Sequence, residues 1–171
     1  MLSTVAELMA ISAETAPKAG GQSFLVFEII TGDKVKKLAE DMINMTEIFS
    51  DRHFIRDGKN VENSAGILLI GMKGATTVSL NCGACGYETC NKMKEVKPIE
   101  GKSFLGPVCA VRYIDFGIAI GSAVKTASLL NIDNRIMYRI GVAARKKGYI
   151  NADIVMGIPL SITGKSPFFD R

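Results

Sequence analysis

In the first half of this chain, segments with apolar residues at helical spacing alternate with segments that have the apolar pattern of a strand. Residues 4–14 carry apolar side chains at helical intervals, and Thr4 opens a capping-box pattern, so a first helix is predicted there. Residues 24–30 form an apolar run that only Glu28 interrupts, which predicts a strand in the middle of a sheet. A second amphipathic helix is predicted to begin at Asp33.

The second half continues this alternation after a charged stretch, residues 51–60, which is predicted to be irregular. Residues 66–71 and 153–159 are predicted to form two further strands. The helix predicted after Cys109 has few charges and many small residues, as expected of a helix that is buried on all sides. Another helix, with a basic outer face, is predicted to begin at Asp133.

Length and composition fit one globular domain with a full hydrophobic core. The chain has 171 residues, of which 47% are hydrophobic and 22% are charged. We therefore predict a single α/β domain over residues 1–171, into which residues 81–110 are inserted as a metal-binding segment. Gly117 and Gly121 in the long helix predict close packing, either across a symmetric dimer or within one chain.

Charge and hydropathy argue against two classes of partner. The net charge of +4 is spread along the chain without a long Lys or Arg run, so nucleic-acid binding is not predicted. No apolar stretch reaches the roughly 18 uncharged residues that would cross a bilayer, so no membrane span is predicted. Because residues 1–7 lack the basic start of a secretory signal, a cytoplasmic location is predicted.

All four cysteines fall in one segment with the spacing C-x2-C-x4-C-x18-C. They are Cys82, Cys85, Cys90 and Cys109. Four thiolates without a histidine beside them suit either a cubane 4Fe-4S cluster or a tetrahedral zinc ion. The spacing therefore predicts a metal centre, and its nature has to be argued from the residues around the cysteines.

The local sequence favours the iron-sulfur cluster. Gly83 and Gly86 let the backbone bend closely around a cluster and turn N–H groups toward sulfur. Residues 82–112 contain five basic and three acidic side chains, a balance that suits an anionic cluster. Two helices are predicted to begin near Cys90 and at Cys109, and helix N-termini favour negative charge. A structural zinc site, disulfides and unliganded thiols are the alternatives.

The cysteine run resembles a known iron-sulfur domain. Residues 82–90 read C-G-A-C-G-Y-E-T-C, and Cys109 follows downstream. This pattern is similar to the 4Fe-4S domain of the Rnf electron-transport complex B subunit and of the corrinoid iron-sulfur protein. The resemblance implies a 4Fe-4S cluster held by the four cysteines.

The order of predicted elements over most of the chain resembles the nitroreductase family. Residues 16–22, A-P-K-A-G-G-Q, and residues 157–159, G-I-P, carry the likeness. The resemblance implies an α/β three-layer sandwich that forms a homodimer and binds FMN at the dimer interface. The residues it would place beside the flavin are Pro17, Lys18, Gly20, Gly21 and Gln22. It would place Lys165 or Arg171 at the flavin phosphate.

Residues 131–139 and 157–171 are also similar to an uncharacterised prokaryotic family of ferredoxin-domain-containing proteins, a resemblance that adds no mechanism. Two other features are given no function. His53 has no Cys or Ser partner near it in the sequence. The Gly-Lys-Ser run at residues 164–166 lacks the earlier glycine and the following helix of a P-loop.

The leading hypothesis is a 4Fe-4S redox protein that transfers electrons between an unknown redox partner and a second centre. FMN is the candidate for that centre, and a flavin-dependent oxidoreductase is the candidate enzyme class. The alternative is a non-enzymatic domain that binds a small ligand or a partner and uses its four cysteines to hold a structural zinc ion.

Overall fold

The computed structural model describes residues 2–169. The α-helices of this part are α1 (Leu2–Thr15), α2 (Asp33–Phe49), α3 (His53–Glu62), α4 (Cys90–Lys94), α5 (Ala110–Leu129) and α6 (Tyr138–Lys146). The strands are β1 (Leu25–Thr31), β2 (Gly66–Met72), β3 (Ile99–Glu100), β4 (Leu105–Gly106), β5 (Asp133–Asn134) and β6 (Ile154–Ser161). None of the helices within residues 2–169 has the length and apolar character needed to cross a membrane.

Four of the strands form one antiparallel sheet in the order β1-β2-β6-β5. In its centre, β2 is buried along its whole length and pairs with β6, so that Met72 lies beside Ile154. On the other side of β2, β1 pairs with Leu25 beside Met72. The two short strands β3 and β4 form a separate hairpin in the connection between β2 and α5.

The side chains of the sheet pack in two hydrophobic cores, one on each face. On β2, Ile67 and Leu69 pack in the core formed with α2, α3 and α6, whereas Leu68 and Ile70 pack in the core formed with α1 and α5. This division follows from the pleat, because successive side chains of a strand point to opposite faces. Helices therefore cover both faces, and the fold is the predicted α/β three-layer sandwich.

Two glycines let α6 lie directly against β6. A Cβ atom at Gly141 would lie 1.8 Å from the carbonyl oxygen of Val155, and one at Gly157 would lie 2.1 Å from Cγ2 of Ile140. Neither position has room for a side chain. Backbone hydrogen bonds between Met137 and Gly157, with N···O distances of 2.8 and 3.2 Å, complete this contact.

The predictions for β1 and for the region from Asp133 need correction. β1 is an edge strand of the sheet and not a central one, and Glu28 is exposed there. An apolar run does not distinguish the two positions, because an edge strand between two helical layers is also covered on both faces. The region from Asp133 contains a short strand, β5, and the helix α6 begins only at Tyr138.

Residues 51–60 are mostly helical, so the prediction of an irregular stretch was wrong. They belong largely to α3, whose charged side chains form ion pairs that the local pattern does not reveal. Asp57 is buried and pairs with Arg139 of α6 at 3.1 Å. His53 is exposed, and its backbone N–H donates to Asp51 at 3.0 Å, which lowers the pKa of Asp51 to about 2.

The prediction that α5 is buried on all sides was also wrong. One face packs against the sheet, but Tyr113, Ile114 and Ile118 on the other face are exposed. Gly117 and Gly121 lie on this exposed face, with open space where a Cβ would be. The two glycines therefore do not serve dense packing within one chain, which was one of their two predicted roles.

Candidate functional site

The four cysteines lie between β2 and α5 in residues 73–109, which we call the cysteine segment. Its regular structure is limited to α4 and the β3–β4 hairpin. Cys82 is exposed and Cys85 is half-buried, whereas Cys90 and Cys109 are only 8% and 4% exposed. All four are free thiols, so each is available as a metal ligand.

Hydrogen bonds fix the position of Cys90 at the start of α4. The backbone N–H of Cys90 donates to Oδ1 of Asn81 at 2.9 Å, and the backbone N–H of Asn81 donates to Sγ of Cys90 at 3.3 Å. Thr89 caps the helix through its Oγ1, which accepts from the backbone N–H of Lys92 at 3.3 Å. N–H donors to cysteine sulfur are one means by which proteins tune iron-sulfur potentials. Cys90 therefore already has the kind of environment that a cluster ligand requires.

Two glycines shape the turn between Cys82 and Cys90. Gly83 and Gly86 have φ angles of +71° and +86°, which favour glycine over other residues. The N–H of Gly86 donates to the carbonyl oxygen of Gly83 at 2.9 Å and closes the turn. The backbone of this stretch thus curls as the sequence predicted.

The structure does not bring all four sulfur atoms together. Within residues 2–169, no three Cys, His, Asp or Glu side chains form a group that could hold a metal ion. The four-cysteine ligand set therefore stays a prediction. The donor chemistry fits such a centre, and the hydroxyl of Thr77 in this segment is buried without a hydrogen-bond partner in the described chain.

Arg112 is a buried cation three residues after Cys109. Its side chain lies in the first turn of α5 and is only 2% exposed. Nη1 donates to Oδ2 of Asp115 at 2.9 Å, and the guanidinium lies over the ring of Phe24 at 4.8 Å from its centroid. Burial of a charge is tolerated when it is paired and hydrogen-bonded in this way.

The remaining hydrogen bonds of Arg112 join three separate segments. Nη1 donates to the carbonyl oxygen of Ala19 at 2.9 Å, and Nη2 donates to Oε1 of Gln22 at 3.1 Å. Nε donates to the carbonyl oxygen of Thr76 at 3.1 Å, in the part of the cysteine segment before Cys82. The start of α5, the cysteine segment and residues 17–22 therefore meet at one guanidinium. We use the name Arg112 junction for Arg112 and the residues it binds, which are Ala19, Gln22, Thr76 and Asp115.

Residues 17–22, which we call the glycine loop, include the predicted flavin contacts. Pro17, Gly20, Gly21 and Gln22 are exposed, and the two glycines have φ angles of +67° and +64° with open space around them. Lys18 has a structural role instead, because its Nζ donates to the carbonyl oxygens of residues 13, 14 and 16 at the end of α1. The gap beneath the loop is about 10 Å³, about the room that one water molecule needs. A flavin would therefore have to lie on the outer surface of this loop.

The predicted phosphate contacts lie elsewhere. Lys165 comes four residues after β6 ends at Ser161, whereas the glycine loop lies beside Met72 at the other end of the sheet. The eight residues of β6 separate these ends by about 23 Å, which is seven times the usual rise of a strand. Nearby Phe168 packs in the core on the face opposite α1 and α5. One chain does not bring Lys165 to the glycine loop, and Arg171 lies outside the described residues.

The β3–β4 hairpin of the cysteine segment is held against α6 by charged side chains. Glu100 accepts from Nη1 and Nη2 of Arg145, both at 2.7 Å, and from Nζ of Lys146 at 2.6 Å. The hydrogen bonds from Arg145 and then Lys146 lower the pKa of Glu100 to about 2. The basic face of α6 thus fixes the hairpin in place.

Sequence reasoning missed the Arg112 junction. Arg112 and Asp115 are spaced i, i+3 within a helix that otherwise has few charges, and this isolated pair was the available signal. Their partners in residues 17–22 and 73–81 are distant in sequence, so the pattern alone did not reveal what they connect.

Comparison with known proteins gives two kinds of likeness. The model of a family described as "Uncharacterized protein containing a ferredoxin domain" matches residues 105–171, which include Cys109 but not the other three cysteines. A protein from Archaeoglobus fulgidus, named "Uncharacterized protein", is 52% identical over 164 residues. This match covers 96% of the present chain and 88% of the relative.

The fold is similar to those of solved nitroreductases. Nitroreductase A from Vibrio parahaemolyticus has a TM-score of 0.56 at 12% identity, over 95% of this chain, which spans only 60% of that protein. A nitroreductase with bound FMN from Desulfitobacterium hafniense has a TM-score of 0.58 at 11% identity, covering 95% of this chain and 78% of that one. The FMN-dependent nitroreductase NfnB from Mycobacterium smegmatis has a TM-score of 0.60 at 9% identity, covering 97% and 81%. At these identities the likeness shows the fold alone, and it confirms the predicted nitroreductase-like sandwich.

Proposed function

Because the chain belongs to the family of uncharacterized proteins that contain a ferredoxin domain, we propose that it is an electron-transfer protein with two centres. The first is a 4Fe-4S cluster on the four cysteines, and the second is FMN on the glycine loop. The cluster would carry single electrons, and the flavin would exchange them with a two-electron substrate.

The observation that carries this proposal is the Arg112 junction. Arg112 lies three residues after Cys109 and donates to both Ala19 and Gln22 of the glycine loop. The backbone N–H of Ala19 in turn donates to Oδ1 of Asp115 at 3.0 Å. The last predicted cluster ligand and the predicted flavin loop are therefore tied to the same turn of α5, an arrangement that would keep the two centres adjacent.

The chain's own residues supply position and charge to these centres. The N–H of Asn81 stabilises charge on the sulfur of Cys90, and the open turn of Gly20 and Gly21 lets a planar ligand approach the backbone. Arg112 keeps its positive charge buried beside both regions. Because Asp115 neutralises this charge, Arg112 serves mainly to hold the two regions together.

A homodimer is part of the proposal, because one chain offers FMN only an open surface. The exposed apolar residues of α1 and α5 form one candidate interface beside the glycine loop. They are Leu8, Ile11, Tyr113, Ile114, Ile118 and Leu129. Large exposed apolar patches of this kind mark interaction sites. Sedimentation of the purified protein at several concentrations tests this part, and a strictly monomeric species would contradict it.

Anaerobic reconstitution with iron and sulfide tests the cluster. We expect iron and acid-labile sulfide in equal amounts and a visible absorbance that dithionite bleaches reversibly, because zinc has no redox chemistry. Cys90→Ala and Cys109→Ala should each remove this absorbance, whereas Asn91→Ala, at an exposed neighbour of Cys90, should leave it intact. Stoichiometric zinc without bleaching would instead favour the structural zinc site of the alternative. Titration with FMN followed by flavin fluorescence tests the second centre separately.

A further inference from the structure

A cavity of about 240 Å³ lies between the end of β2 and the β3–β4 hairpin, and none of its residues was predicted as a site. It is lined by Met72, Gly74, Ala75, Pro98, Leu105, Pro107, Val108 and Asp153. Apart from the carboxylate of Asp153, the side chains in this lining are apolar. Binding sites for small molecules commonly combine an apolar wall with a few fixed polar groups.

Three backbone or side-chain hydrogen bonds fix Asp153 in this wall. Its backbone N–H donates to the carbonyl oxygen of Met72 at 2.9 Å, and its carbonyl oxygen accepts from the N–H of Leu105 at 3.1 Å. Oδ2 of its carboxylate accepts from the N–H of Gly74 at 2.6 Å. The carboxylate is thus held by β2, the hairpin and the turn at Gly74 together, which makes it a preorganised acceptor for a ligand.

The charge of Asp153 is only partly offset by the protein. Arg145 interacts electrostatically with Asp153, but the hydrogen bonds of Arg145 go to Glu100 and to the carbonyl oxygens of Ala152 and Ser103. In residues 2–169, the hydrogen bond made by the Asp153 carboxylate is the one to Gly74. The other carboxylate oxygen, Oδ1, therefore keeps its capacity to accept a hydrogen bond.

The cavity lies between the two predicted cofactor regions. Val108 in its wall directly precedes Cys109. Met72 in its wall also lines the small gap beside Gln22 and Arg112, beneath the glycine loop. A molecule in this cavity would therefore lie next to both the last predicted cluster ligand and the Arg112 junction.

We propose that this cavity binds a single-ring apolar molecule that carries a cationic or neutral N–H or O–H donor. Its volume lies below the roughly 300 Å³ of common ligand pockets, which limits the ligand to about one substituted ring. A fixed carboxylate favours a charged donor and disfavours a carboxylate on the ligand. The role of this cavity as a substrate pocket rests on the proposed redox function. Its ability to bind such a ligand does not depend on that function.

Two ring compounds of the same shape and opposite charge test the proposal. We would titrate the full chain, as purified and again after reconstitution with iron and sulfide, with benzamidine and with benzoate, and follow binding by ligand-observed NMR. Benzamidine should bind about tenfold more tightly, as expected for a hydrogen bond to a charged group. The net charge of +4 favours benzoate at non-specific sites, so this order would identify an acidic site.

Substitutions of residues that line the cavity show whether the compounds bind there. Asp153→Asn keeps an acceptor for Gly74 but removes the charge, and it should abolish the preference for benzamidine. Asp33→Asn changes the net charge equally at an exposed residue that does not line the cavity, and it should leave the preference intact. Ala75→Leu fills the cavity and should weaken both compounds.

The outcomes separate this inference from the proposed function. Equal affinities for both compounds in both preparations, a benzamidine preference that survives Asp153→Asn, or affinities that Ala75→Leu leaves unchanged would each overturn the pocket. A preference that follows these variants while no cluster forms would support the pocket and count against the proposed function alone.

Discussion

The central strands and the cysteine segment are held in place by different forces. β2 is buried on both faces and β6 almost entirely so, and two hydrophobic cores cover them. The cysteine segment is largely exposed and irregular, and it is fixed by polar contacts at its start, at its hairpin and at Cys90. Apolar burial dominates in the first region, whereas the second has only a few apolar contacts, such as those of Ala75, Phe104 and Val108, beside its hydrogen bonds and ion pairs.

This difference implies that the two regions open at different free energies. A segment with few buried apolar contacts unfolds locally before the core does. Because the predicted metal ligands are all in that segment, metal binding would order it without being needed for the core to fold. The sheet is therefore a scaffold, and the cysteine segment is the part of the molecule that its metal would complete.

Arg112→Met should have the largest effect, because it breaks the junction between scaffold and cysteine segment. Methionine has a similar length but leaves Oδ2 of Asp115 and the carbonyl oxygens of Ala19 and Thr76 without their donor. Removing one partner of a buried ion pair costs about 3–5 kcal/mol. We expect a loss of this size in the free energy of unfolding, measured by urea denaturation, together with faster amide exchange in residues 18–22 and 73–81.

The matched control is Arg52→Met, which removes an exposed arginine from the start of α3 and should leave the free energy of unfolding nearly unchanged. A small loss for Arg112→Met, close to that of Arg52→Met, would mean that the junction does not join the two regions.

Gly141→Ala should destabilise the scaffold and leave the cysteine segment unaffected. The new methyl group would overlap the carbonyl oxygen of Val155, so α6 would have to move away from β6. Overpacking of this kind costs about 1–3 kcal/mol, measured again by urea denaturation. Amide hydrogen exchange at the N–H of Gly86, in the turn of the cysteine segment, should proceed at the same rate as in the parent protein.

Gly164→Ala is the control for Gly141→Ala, because Gly164 has open space around its Cα and an ordinary φ angle. Its free energy of unfolding should change by less than about 0.5 kcal/mol. If both substitutions had the same effect, the close contact between α6 and β6 would not be what limits position 141.

Much of the scaffold could be predicted from the sequence because its signals are local. The hydrophobic pattern within each segment was enough to predict the strands β1, β2 and β6 and the helix α2. The prediction failed where a distant partner decides the structure. The charged residues of α3 look like a loop until Arg139, far along the chain, pairs with Asp51 and Asp57.

The candidate site divides in the same way. The spacing of the four cysteines and the turns at Gly83 and Gly86 are local features, and the sequence identified both. The pairing of Glu100 with Arg145 depends on a group 45 residues away in the sequence. The cavity at Asp153 is likewise formed by residues from three separate parts of the chain.

Glu100→Gln should have the smallest effect on overall stability, and it tests how far the ion pairs of Glu100 hold the hairpin, which also has a backbone hydrogen bond from Leu105 to Asp153. The variant loses the charge that binds Arg145 and Lys146, so the hairpin should open more often while the core stays folded. The measurement is amide exchange at Gly101, whose N–H donates to the carbonyl oxygen of Phe104 at 2.9 Å. Glu95→Gln, at an exposed residue of the same segment, is the matched control and should exchange like the parent protein.

The difference in exchange rate between Glu100→Gln and the parent protein should depend on pH. Because the hydrogen bonds from Arg145 and Lys146 lower the pKa of Glu100 from 4.5 to about 2, its stabilising effect is fully present above pH 4.5. That effect is lost as the pH falls through about 2. The exchange rates of Glu100→Gln and the parent should therefore differ most near neutral pH and converge toward pH 2, whereas a constant difference would show that the hairpin is held by something other than the ionised carboxylate.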